Sequence, residues 1–88
     1  MFYATHWLHI PQRAPLKLYV VEVRNGVVTS FFPFDGERQS MVWADELFLS
    51  HCPQARFLSD IENEVAQPAQ PLYLYSLGGG NGCLVPIR

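Results

Sequence analysis

Asn25-Gly26, set between Leu16–Arg24 (LKLYVVEVR) and Val27–Phe34 (VVTSFFPF), constrains the fold of this chain more than any other feature. Asn-Gly supplies the two positive-φ positions of a type I′ turn, whose twist matches that of a right-twisted strand pair. Both flanks are rich in β-branched and aromatic residues, so a β-hairpin is predicted. A two-residue turn also sets a register. It pairs Arg24 with Val27, Glu22 with Thr29, Val20 with Phe31 and Leu18 with Pro33 on one face. On the other it pairs Val23 with Val28, Val21 with Ser30 and Tyr19 with Phe32. Neither face is polar, so cover is expected on both, from a helix on one side and from another sheet or chain on the other. Pro33 lacks a ladder donor, which places the end of the second strand at an edge or a bulge.

Around the hairpin, residues 2–10 alternate as a strand, with Phe2, Ala4, His6, Leu8 and Ile10 on one side and Tyr3, Thr5, Trp7 and His9 on the other. Pro11–Pro15 reads as a loop and Asp35-Gly36-Glu37-Arg38 as a polar turn. Ser40–Ser50 is open between a helix capped by Ser40 and two short strands bracketing a polar turn at Ala44-Asp45-Glu46, with extended structure preferred. Pro53–Gln67 is predicted helical, with Leu58, Ile61 and Val65 on one stripe and a capping box at Ser59–Glu62. Pro68 and Pro71 forbid its continuation. Leu72–Leu77 alternates as a strand, and Cys83–Ile87 returns as a last one. The fold class expected is α+β: a small, mostly antiparallel sheet with one helix packed on one face, in a single domain over residues 1–88.

With 88 residues the chain has room for only a thin core. It nonetheless carries six Phe, four Tyr and two Trp, while only 16% of residues are charged. These rings either crowd the interior or face a partner. Trp7, Phe31, Phe32, Phe34 and Trp43 are the candidates for contact with a protein partner or a second copy of the chain. A formal charge of −2 gives no electrostatic footprint for nucleic acid or an anionic membrane. No secretory signal and no apolar run of bilayer-spanning length is visible, so a cytoplasmic location is expected. Cys52 and Cys83 stand in no metal-like spacing and read as reduced, buried thiols.

Candidate chemistry is sparse. Gly78-Gly79-Gly80-Asn81-Gly82 resembles a phosphate cradle, but no helix and no Lys or Ser/Thr follows, so a hairpin turn is the plainer reading. Close approach of a ligand to its bare backbone stays open. His6, His9, His51 and Cys52 are metal-ligand types, yet odd spacing on a strand turns His6 and His9 to opposite faces. Cys52 stands beside His51, but an activated thiolate needs the imidazole in reach of the sulfur and a third group to orient it. Adjacency in sequence does not supply that geometry. Asp60, Glu62 and Glu64 read as a solvated helix face. No cofactor, no metal and no catalytic residue is expected.

Residues 16–32 (LKLYVVEVRNGVVTSFF) resemble the opening hairpin of the small composite β-sandwich domain of amidohydrolase-type metal-dependent hydrolases, and Leu84-Val85-Pro86 resembles the strand that feeds that family's barrel. The likeness covers about a third of the chain. It implies a non-catalytic sheet, because Ile87 stands where the family has Gly and His6 and His9 do not form its H-x-H metal pair. The functional expectation is a non-enzymatic domain for self-association or protein-partner binding. The alternatives are an accessory β domain related to metal-dependent hydrolases and a ligand site at the glycine loop.

Overall fold

In the computed structural model, which describes residues 1–65, 69–78 and 82–87, the chain forms one mixed six-stranded sheet. The strands are β1 (Phe2–His9), β2 (Leu16–Arg24), β3 (Val27–Pro33), β4 (Met41–Ser50), β5 (Tyr73–Leu77) and β6 (Leu84–Ile87), in the order β3-β2-β1-β4-β5-β6. Only β1 and β4 run parallel. The sheet curls until Val28 of β3 bonds to Leu72, the residue before β5, across an isolated antiparallel bridge. Inside the curl lies the main core, built on Leu8, Val21, Val23, Leu47, Leu49 and Leu74. Each such side chain removed from water contributes about 1.5–3 kcal/mol.

The α+β expectation is therefore corrected to a mostly β fold. Of the helix predicted over Pro53–Gln67, the described part contains a single 3-10 turn, Leu58–Asp60, and Ala66 and Gln67 lie outside the described residues. Extended pairing outcompetes the helix here. Leu84 donates its N–H to the Arg56 carbonyl at 2.7 Å, Leu58 donates to Gly82 at 2.8 Å, and Phe57 bridges Cys83. The Asp60 carboxylate folds back to accept the N–H groups of Arg56 and Phe57, each at 3.0 Å, a local bond that competes with helix propagation. Val65, the third member of the expected apolar stripe, is 57% exposed.

Those two backbone donors, Arg56 first and then Phe57, hold the Asp60 carboxyl below its ordinary range. Glu22 is lowered likewise, chiefly by the Thr29 hydroxyl, with burial opposing and Arg24 assisting. A depressed native pKa contributes stability that is complete above the ordinary carboxylate range and drains as pH falls through the native value. The melting temperature of Asp60→Asn is expected to lie below that of the wild type at neutral pH. The gap should close on acidification, and a constant gap across the titration would refute this assignment.

The hairpin forms with Asn25 and Gly26 both at positive φ (54° and 77°). Its predicted register holds only at the tip, where Arg24 faces Val27 and Val23 faces Val28. Beyond that a bulge at Thr29 shifts the pairing by one, so Glu22 faces Ser30, Val21 faces Phe31 and Val20 faces Phe32. The Thr29 hydroxyl secures the bulge at 2.9 Å from Glu22 Oε1 and 3.2 Å from the Glu22 carbonyl. A one-residue slip exchanges the faces of a strand. Phe31 thus joins the inner core beside Tyr19, and Phe32 goes to the outer side with Val20.

A second irregularity crosses three strands in one row. Tyr3 and Leu8, Tyr19 and Leu16, and Ala44 and Leu47 all pack on the inner core, so the inward alternation changes parity between them on β1, β2 and β4. The row concerned holds His6, Leu18 and Asp45, which are skipped in an otherwise constant register. Leu18 takes φ 54°, in the left-handed region. Thr5, fully buried, bridges the interruption. Its hydroxyl accepts from the Trp7 N–H at 3.3 Å and lies 2.9 Å from the Trp7 carbonyl and 3.1 Å from that of Asp45.

The simple alternation expected for residues 2–10 is corrected accordingly: Leu8 and Ile10 side with Tyr3, not with Phe2 and Ala4. The polar turn expected at Ala44–Glu46 is this same row inside a continuous ten-residue strand.

The outer face is covered in part, by chain and not by a helix. Ala4 and Val20 are fully buried there, and the crossover from β3 to β4 reaches this face through Arg38 and Phe34. Arg38 sits on the rings of Phe2 and Phe32, at 5.1 and 4.9 Å, and is held by Asp35 at 3.2 Å. Residues 51–65 cover a second part, where Phe48, Ala55, Ile61, Tyr75 and Leu84 form another cluster, and Trp7 and Trp43 are left exposed.

Both sheet edges are interrupted by proline. Leu84 directs its N–H outward to Arg56, so alternation directs Pro86, which has none, the same way. Phe34 directs its N–H inward to Leu18 at 2.9 Å, which turns Pro33 outward on β3.

Candidate functional site

The five aromatic residues expected at an interface separate into two groups. Phe31 packs on the inner core against Tyr19, with ring centroids 6.4 Å apart. Phe32 lies under Arg38, and Phe34 rests on Trp43 at 5.1 Å. These three are half-buried by the chain itself. Trp7 and Trp43 stay open to solvent, 43% and 41% exposed.

Both tryptophans stand on the outer side of the sheet, Trp7 on β1 and Trp43 on β4. The parity change brings them there together: Trp43 precedes it, opposite Ala4, and Trp7 follows it, opposite Glu46. His6, in the irregular row between them, tilts against the Trp43 ring at 5.7 Å, with its Nδ1 3.7 Å from Asp45. Lys17 reaches over Trp7 at 6.0 Å. Exposed Leu18 continues the irregular row on β2. Sequence reasoning missed His6 and Leu18 as surface neighbours of the tryptophans, because regular alternation assigns them to other positions.

The surface carries charges of both signs. The Asp45 carboxylate is almost fully exposed. Glu46 Oε2 accepts from His9 Nε2 at 3.0 Å, and the His9 ring stacks on Phe48, centroids 4.4 Å apart and 10° from parallel. His9 and His6 are each oriented by a carboxylate, but neither imidazole bonds a hydroxyl or thiol among the described residues. A general base needs such a partner, or a substrate, within hydrogen-bond reach.

The remaining sequence candidates are dispersed. His51 directs Nδ1 at the Pro71 carbonyl (3.0 Å). Cys52 packs beside the outer cluster, and both cysteines are free and partly buried. Glu64, expected on a solvated helix face, instead turns inward, where its Oε1 accepts from the Ser50 hydroxyl and the His51 N–H, both at 3.0 Å. Among the described residues no three His, Cys, Asp or Glu are placed to hold a metal ion, and no helix is long and apolar enough to cross a membrane.

Of the glycine loop, Gly78 and Gly82 are described, and Gly79, Gly80 and Asn81 lie outside the described residues. Gly78 donates to Cys83 at 3.0 Å, a Cβ on it would run into Val85, and Gly82 takes φ 69°. Close hairpin packing accounts for both of these glycines.

No family model, no curated protein and no solved structure matches this chain, and none ties it to the amidohydrolase composite domain.

Proposed function

We propose that this is a non-catalytic domain that self-associates through the outer face of β1 and β4. The observation that carries the reading is the exposure of Trp7 and Trp43 on one side of a sheet that buries or half-buries its other candidate rings. Tryptophan is among the residues most enriched at binding hot spots, and an exposed pair on rigid strands loses little entropy on docking.

A second copy suits the surface because the charge pattern is self-complementary. Lys17 has no carboxylate partner among the described residues, while Asp45 and Glu46 sit one strand away from Trp7. Two-fold pairing sets the Lys17 of each copy against the acidic pair of the other. With prolines blunting both edges, the sheet face is the open route to association.

Light scattering over rising concentration tests this. The wild type is expected to reach the mass of a dimer with a blue-shifted tryptophan emission, and Trp43→Glu is expected to remain a folded monomer. A wild type that stays at 10.0 kDa at millimolar concentration overturns the proposal. Phe32 is a poor probe, since substitution there removes the ring beneath Arg38 and tests folding instead.

A further inference from the structure

A cleft of about 390 Å³ opens at the far end of β1, away from Trp43, between the turn that leaves the strand and the 3-10 segment that covers the outer cluster. Its size falls within the range of small-molecule sites, about 300–1,000 Å³. One wall is flat and fixed: His9 lies parallel on Phe48 and is held by Glu46. Leu49, Leu58 and Ile61 supply the apolar lining.

Two opposite charges complete the lining, Arg13 on the turn and Glu62 on the 3-10 side. Among the described residues neither side chain has a hydrogen bond or an ion pair, and they are too far apart to pair with one another. The turn that presents Arg13 is strained. Arg13 donates its N–H to Ile10 at 3.2 Å, closing a four-residue turn in which Gln12 holds φ 55° at the position glycine prefers. Backbone strain of this kind persists where surrounding structure enforces it, and it clusters at ligand-binding positions.

We infer that this cleft binds a small zwitterion with an apolar body, the chemistry of a free aromatic amino acid. Arg13 takes the carboxylate through its planar fork and Glu62 takes the ammonium. The side chain lies along His9 and Phe48 over the apolar lining. An anion alone leaves Glu62 facing like charge or water, and a cation alone leaves Arg13 so. The pair of charges therefore selects for both groups on one molecule.

Calorimetric titration of the full chain tests the inference with L-phenylalanine, N-acetyl-L-phenylalanine, which lacks the ammonium, and phenethylamine, which lacks the carboxylate. L-Phenylalanine is expected to bind saturably, and each truncated probe about tenfold more weakly, the loss typical of one charged contact. Arg13→Ala should abolish the advantage over phenethylamine only, and Glu62→Gln the advantage over N-acetyl-L-phenylalanine only. Both positions are exposed, so the variants should keep the wild-type melting temperature. No saturation at the solubility limit, equal binding of all three probes, or variants that bind as the wild type does would each overturn the assignment. Association through Trp7 and Trp43 is read out separately by mass.

Discussion

Thr5→Val should destabilise the protein by about 3 kcal/mol, even though it changes almost nothing in shape. The side chain is fully buried, and valine fills the same space, so no cavity forms. What disappears is the hydroxyl that accepts the Trp7 N–H and donates to a carbonyl at the interruption, that of Trp7 or of Asp45 in the skipped row. The register passes over Asp45, so that residue has no paired neighbour on β1 to which its carbonyl could turn. Each buried polar group left without a partner costs about 1–3 kcal/mol. Thr5→Ser keeps the hydroxyl and should lose only about 1 kcal/mol, the methyl term. Urea unfolding of the two variants separates the contributions. Equal losses would show that packing, not the hydroxyl, holds the row.

Tyr75→Phe is the second large effect, about 2–3 kcal/mol. Tyr75 is fully buried at the centre of the outer cluster, and its hydroxyl ties down the segment that covers it. It donates to the Cys52 carbonyl and accepts the Ala55 N–H at 3.2 Å. Phenylalanine keeps the ring and its packing but strands both backbone groups. The segment after β4 is expected to loosen first, so exchange of the Ala55 amide should accelerate beyond what the global loss accounts for. If it does not, the hydroxyl is not what holds the segment.

These two side chains mark where local reading of the sequence stops. The hairpin tip is legible because Asn25-Gly26 acts through backbone sterics alone. The strands flanking it are legible because β-branched and aromatic runs between turn residues have few other uses, whereas Ser40–Ser50 fits a helix or two short strands nearly as well as the single strand found there. The Thr29 bulge is not legible, since it depends on a hydroxyl meeting Glu22 across the pair, and it transfers Phe31 and Phe32 between faces.

The His6–Leu18–Asp45 row is hidden for a similar reason. It involves three strands at once, and each alone scans as ordinary alternation or, at Ala44–Glu46, as a turn. The helix expected over Pro53–Gln67 fails because Leu58 and Ile61 satisfy a helical stripe and a cover over Phe48 equally well. The competing partners, Gly82 to Leu84, lie more than twenty residues away. Trp7 and Trp43 are identifiable by type from the sequence, but their common side follows only from the parity change. The cleft has no sequence signal at all, because Arg13 and Glu62 come from two unrelated turns.

The prolines at 33 and 86 bear on what happens to this strand-rich chain when it is crowded. A fibril grows by offering each arriving molecule a row of free donors, and here neither flank of the native sheet offers an unbroken one. Concentrated solutions of the folded molecule should therefore fail to seed thread-like polymers, and any assembly they form should stop at a closed, countable number of subunits.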